Sequence, residues 1–180
     1  MFGRRKRVVI DDADRTVNDR ERSRRRTMER AVRLLAAKPR SVAELRERLL
    51  EKPWTDAEIV DTVLNKLAEY NYLDDAQYAR DLALSKLRQK PQGRRRLEQR
   101  LAHKKVDRET LDAAIADAYD VMPEDDLLDT AIDKRIRLKG RPSSHDETKK
   151  MTEHLMRQGF PYGLIREKLN KLAESESEEN

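Results

Sequence analysis

The 180 residues are 37% hydrophobic, 4% aromatic and 42% charged, which supplies too little apolar surface for one large round core and suits helices that bury narrow stripes. There is no cysteine, so a disulfide framework and a thiolate metal site are excluded, in agreement with a reducing compartment. The formal charge of +5 favours a polyanionic partner, and its effect depends on where the charge is concentrated.

The chain opens with Arg4-Arg5-Lys6-Arg7 and only Val8-Val9-Ile10 before Asp11 and Asp12. That is not a signal peptide, and no run of about 18 apolar residues exists for a membrane span, so a cytoplasmic location is expected. Residues 1–26 carry almost nothing apolar and are expected to form a flexible charged arm, within which Arg20–Arg26 could extend the first helix, stay solvated or touch phosphates.

From Thr27 the periodicity is helical, with Ala31, Leu34 and Leu35 on one face until Pro39. Ser41 and Glu44 have capping-box spacing for a second helix whose stripe is Leu45, Leu49 and Leu50. Thr55 and Glu58 repeat the device for a third helix, with Trp54 and Ile59 as hydrophobic staple and Val60, Val63, Leu64 and Leu67 directed inward. The stretch Asn71-Tyr72-Leu73-Asp74-Asp75 then joins this block to the next, where Asp74 and Gln77 form another capping box and Leu73 and Tyr78 another staple.

Sliding the sequence along itself shows that the blocks repeat. Leu45, Leu49, Trp54, Ile59 and Val63 match Leu97, Leu101, Val106, Leu111 and Ile115 at an offset of 52, ungapped. Asp107 takes the capping place of Thr55, and Gly93 stands where Ser41 would be. Met151, Leu155, Phe160, Ile165 and Leu169 continue the series at an offset of 54, with Pro161 at the cap position. Leu127, Leu128, Ala131, Ile132 and Ile136 suggest the third block's first helix, ending near Gly140. The spacing predicts an all-α chain of three tandem three-helix repeats, at 27–72, 74–121 and 124–173, forming an elongated curved array, with an acidic disordered tail at 174–180.

Three such blocks, with Ala43-Glu44-Leu45-Arg46 and Leu49 in the first and Tyr72-Leu73-Asp74-Asp75 with Tyr78-Ala79-Arg80 at the joint, resemble the RecX family. Arg95-Arg96-Leu97 with Leu101 in the second block, and Leu155-Met156-Arg157-Gln158-Gly159-Phe160 in the third, add to the resemblance, which covers residues 27–172. It implies a non-enzymatic regulator that binds RecA and its filament on DNA, limiting ATP hydrolysis, strand exchange and co-protease activity in recombination, repair and the SOS response.

The charge itself is concentrated between Lys86 and Arg108, where Lys86, Arg88, Lys90, Arg94, Arg95, Arg96, Arg100, Lys104, Lys105 and Arg108 face only Glu98 and Asp107, a net of +8. Arg96 and Arg100 are four apart while Leu97 and Leu101 turn inward, so one helix face can present several cations to phosphates. A second run, Lys134, Arg135, Arg137, Lys139 and Arg141, could continue the stripe. The residues expected to meet the RecA–DNA filament are therefore Lys86, Arg88, Lys90, Arg94, Arg95, Arg96, Arg100, Lys104, Lys105, Arg135, Arg137, Lys139 and Arg141. A solvated face with local ion pairs is the bland alternative for them.

The predicted third helices are acidic, with five acids and one base between Asp107 and Asp120. A helix-turn-helix reader normally turns its last helix to the DNA, so this weighs against a tandem helix-turn-helix regulator acting without RecA. A purely protein-binding scaffold is a further alternative. Trp54, Tyr70, Tyr72 and Tyr78 could anchor a partner, but Trp54 and Tyr78 sit at staple positions where core packing is expected. His103, His145 and His154 lack metal-ligand spacing, and there is no glycine-rich phosphate loop, so neither a catalytic site, a metal nor a cofactor is expected. Direct weak DNA binding and a monomeric state complete the expectation.

Overall fold

The structure, a computed structural model, describes residues 10–11 and 14–178, with side chains described as far as Glu174. The secondary structure of the described residues is entirely helical, in three tandem three-helix repeats. The first repeat comprises α1 (Arg20–Ala37), α2 (Val42–Leu50) and α3 (Ala57–Glu69). The second comprises α4 (Asp75–Gln89), α5 (Arg94–Leu101) with a 3₁₀ turn at Ala102–Lys104, and α6 (Arg108–Val121). The third comprises α7 (Glu124–Lys139), α8 (His145–Arg157) and α9 (Tyr162–Glu178).

Two expectations at the ends need correction. The arm is shorter than residues 1–26, because α1 starts at Arg20, where the Asp19 side chain accepts from the Arg22 N–H. Ser23 and Thr27 supply the buried face of that first stretch, and small polar residues leave no mark in a hydrophobic pattern. Arg15 also binds this region, donating to the carbonyls of Leu50, Lys52 and Thr55 at 3.0 to 3.2 Å. At the other end α9 continues to Glu178, so the acidic segment is helical that far; adding residues to an existing helix needs no new nucleus. Residues 1–9, 12–13 and 179–180 of the two terminal expectations lie outside the described residues.

The chain divides into two compact units. One contains the residues up to Tyr78 together with Lys104–Val106. Its core joins Ala31, Leu45, Leu49, Val60, Val63, Leu64, Leu67 and Leu73, with Met28, Leu34, Leu35, Val42 and Leu50 packed against them. Ser41 is fully buried at the start of α2, accepting from the Glu44 N–H at 3.1 Å and donating to the Lys104 carbonyl at 2.7 Å. Glu44, expected to complete a box with Ser41, instead accepts from the Tyr78 hydroxyl at 3.4 Å and pairs with Lys104 at 3.7 Å. The α3 helix ends in a Schellman-type turn: Asn71 adopts φ 59° and the Tyr72 N–H reaches the Leu67 carbonyl.

The cap of α3 is one residue later than expected. Asp56, not Thr55, accepts from the Ile59 N–H at 2.8 Å. Thr55 turns inward, where its hydroxyl meets that of Thr27 at 2.9 Å. With Thr55 inside, Trp54 is only half-buried, although Val106 and Phe160 at the matching positions are core residues. The other fourteen apolar positions of the repeat series are all buried.

The second unit contains Ala79–His103 and the chain from Asp107 onward. In it α5 packs on α6, and α7, α8 and α9 pack on one another. Gly93 and Gly159 bring two backbones together, with the Gly93 N–H donating to the Gln158 carbonyl at 3.0 Å. A Cβ on Gly93 would collide with the Gly159 carbonyl, and Gly159, at φ +93°, lies against Arg96. Gly93 offers no side chain to cap α5; Glu124, thirty residues on, supplies the acceptor, taking the Arg94 N–H at 2.7 Å.

Candidate functional site

Helix α5 is the centre of the basic surface. Leu97 and Leu101 are fully buried, so Arg94, Arg95, Arg96 and Arg100 are all exposed around the rest of a short helix. This follows from helical spacing: a stripe of two leucines four apart leaves the remaining positions to solvent. The Arg94 guanidinium lies 5.1 Å from the centre of the Tyr119 ring. That contact holds the charge near the surface without a carboxylate partner. Tyr119 itself is buried, and its hydroxyl donates to the Gln92 carbonyl at 2.9 Å.

The α8–α9 turn carries more charge to the same unit. His154, in α8, has its pKa held below the ordinary histidine value first by burial and then by the positive charges of Arg135, Arg157 and Lys90. Lys90 follows α4, Arg135 is on α7 and Arg157 ends α8, so cations from three parts of the chain act on the charge of one imidazole. The imidazole Nε2 is 2.7 Å from the Gln158 side-chain nitrogen. Because Gln158 also receives the Gly93 N–H on its carbonyl, the cluster and the start of α5 are tied together through the backbone.

The thirteen expected residues are not all in one place. Lys86, Arg88, Lys90, Arg94, Arg95, Arg96, Arg100, Arg135, Arg137, Lys139 and Arg141 belong to the second unit, whereas Lys104 and Lys105 belong to the first. There Lys104 pairs with Glu44 and Lys105 with Glu47. Lys86 and Arg135 are half-buried, and Arg137 and Lys139 occupy the last turn of α7, where cations also complement the helix dipole. Arg157 was absent from the expected set although it stands in a stretch that carries the family resemblance; its isolation in sequence hid that it acts on the same imidazole as Lys90 and Arg135.

The acidic helices are partly neutralised. On α6, Asp107 caps the helix by accepting from the Thr110 N–H, Asp112 pairs with Arg108 at 3.5 Å and Asp117 with Arg80 at 2.8 Å. Among the described residues no group of three or more His, Asp or Glu is placed to hold a metal ion, and no helix is long and apolar enough to cross a membrane.

Three family models match along the chain: RecX, first three-helix domain, at residues 28–67; RecX, second three-helix domain, at 74–115; and RecX, third three-helix domain, at 123–169. The Regulatory protein RecX of Chlorobaculum tepidum is 32% identical over 151 residues, which covers 83% of this chain and 90% of that one. That of Prosthecochloris aestuarii is 32% identical over 148 residues, covering 82% and 94%. In fold, the crystal structure of RecX from Lactobacillus salivarius superimposes with a TM-score of 0.71 at 18% identity, covering 85% of this chain and 98% of that one. With all three domains matched in order, this chain belongs to the RecX family of regulatory proteins.

Proposed function

We propose that this protein binds RecA, and above all the RecA filament on DNA, and restrains its ATP hydrolysis, strand exchange and co-protease activity. It does so as a cytoplasmic monomer without catalysis of its own, in recombination, repair and the SOS response. Family membership supports the partner. The observation that carries the mode of binding is the second unit's basic surface, where Arg94, Arg95, Arg96 and Arg100 are exposed around α5 and the positive charges of Arg135, Arg157 and Lys90 act on His154. A filament of protein wound on DNA presents phosphates beside protein surface, and a surface so rich in guanidinium groups meets that composite by charge complementarity. Direct DNA binding by the chain alone is then weak and strongly salt-dependent.

A reader of base edges is less well supported. The third helices that would enter a groove, α3 and α6, expose carboxylates, and phosphates repel them.

The test is RecA-catalysed ATP hydrolysis on single-stranded DNA, titrated with this protein at two salt concentrations. Inhibition at amounts well below RecA is expected, together with its loss when Arg94, Arg95 and Arg96 are all changed to Glu. Absence of inhibition, combined with tight duplex binding by the protein alone, would move the reading to a DNA-binding regulator.

A further inference from the structure

The first unit has a cationic cleft of its own, beside α1. Its volume is about 330 Å³ and it is lined by Arg26, Arg30, Arg33, Lys52 and Trp54, with Glu29 and Leu34 completing the wall. Glu29 is its single carboxylate. Among the described residues none of the four cations has a carboxylate oxygen within 4.0 Å; the nearby Glu51 is held by Arg48 at 2.9 Å. The pKa of Arg30 is lowered first by burial and further by Arg48 and Arg33, against the opposing pull of Glu51.

Trp54 forms part of the cleft wall. It occupies a repeat position that is buried in both other repeats, but here the ring stays half-exposed with the Arg26 guanidinium 4.3 Å and the Lys52 ammonium 5.4 Å from its centre. At these distances both cations are attracted by the face of the ring. Two N–H donors at the cleft, Nε1 of Trp54 and Nε of Arg30, are withdrawn from solvent without an acceptor.

We propose that this cleft is a second polyanion site, which takes consecutive phosphates of a nucleic-acid strand on the first unit, independently of the basic surface of the second. Arg26, Arg30 and Arg33 follow one line of α1 over about 10 Å, so they meet a chain of anionic groups rather than one small ion. A protein partner would need apolar anchors. The cleft offers none, because Leu34 is the only aliphatic residue in the wall and the Trp54 ring is already engaged by cations. Binding to phosphates needs no such anchors and is achieved by arginine and lysine alone.

Trp54 is the only tryptophan in the chain, so its fluorescence reports this cleft and no other site. The full chain is titrated at low salt with a short oligothymidylate while that emission is followed. The emission is expected to change on binding, and the change to persist in a variant carrying Arg94→Glu, Arg95→Glu and Arg96→Glu. In Arg30→Glu with Arg33→Glu it weakens by more than tenfold, and the slope of log affinity against log salt falls by about 0.7 for each phosphate that the variant no longer neutralises. Arg33→Gln, an exposed change that leaves the fold intact, weakens it several-fold. A Trp54 signal that does not move while the oligonucleotide binds, or arginine variants that respond like the parent, would overturn the site. So would an equal or larger response to a glutamate homopolymer of matched charge, which would make this a site for acidic protein.

Discussion

At the scale of single residues, polar atoms inside the fold matter more than the exposed charges. Ser41 is fully buried and serves two backbones at once, receiving the Glu44 N–H and donating to Lys104. Ser41→Ala removes a helix cap and strands a carbonyl, and about 1–3 kcal/mol of stability should be lost, read from the urea midpoint at constant m. His154 makes a pH prediction with a definite sign. Its folded pKa lies below its unfolded value of about 6.5, so the unfolded state binds more protons and stability falls as pH drops through about 6.5. A bound polyanion offsets Arg135, Arg157 and Lys90 and raises that pKa, so binding takes up a proton and strengthens on acidification. His154→Gln should flatten both dependences, with titration calorimetry in two buffers of different ionisation heat as the check.

At the scale of elements, the placement of α5 rests on the absence of side chains as much as on their presence. Gly93 and Gly159 let the start of α5 meet the α8–α9 turn, and Glu124 caps α5 from α7. Gly159→Ala faces both the Arg96 contact and a left-handed φ of +93°. It should destabilise the second unit by about 2 kcal/mol or more, visible as accelerated amide exchange in α5, α8 and α9. Glu124→Gln keeps an acceptor but loses its charge, so a smaller loss is expected from it than from Glu124→Ala, measured by thermal unfolding. The same elements explain why α1 begins before the hydrophobic pattern does. Asp19, Ser23, Thr27 and Thr55 are hydrogen-bonded or buried polar residues, and such residues carry no periodic signal.

At the scale of the whole molecule, two units with separate cores should respond separately to core damage. Leu49→Ala, at a fully buried position of the first unit, should cost about 2–5 kcal/mol and open the amides of α1, α2 and α3. Amide exchange in α7 to α9 should remain close to that of the parent, which hydrogen exchange read by mass spectrometry resolves element by element.

The sequence alone determined the helical repeats, because a stripe of leucines, valines and isoleucines at constant offsets has no other low-energy use than burial on one helix face. Leu45, Leu97 and Met151, and the positions that follow them in each repeat, are inside for that reason, and the resemblance of the joint at Tyr72–Arg80 pointed to the family. Tertiary structure alone decided the rest. Trp54 shares its register with Val106 and Phe160, yet Thr55 and Asp56 moved the cap by one residue and left the indole under Arg26. Lys104 and Lys105 look continuous with Arg100 but belong to the first unit, where they pair with Glu44 and Glu47, while Lys90, Arg135 and Arg157 are far apart in sequence and all act on the charge of His154. Periodicity records which side of a helix is apolar; which charges and hydrogen-bond donors share a surface depends on where the helices cross, and that is set by contacts between residues distant along the chain.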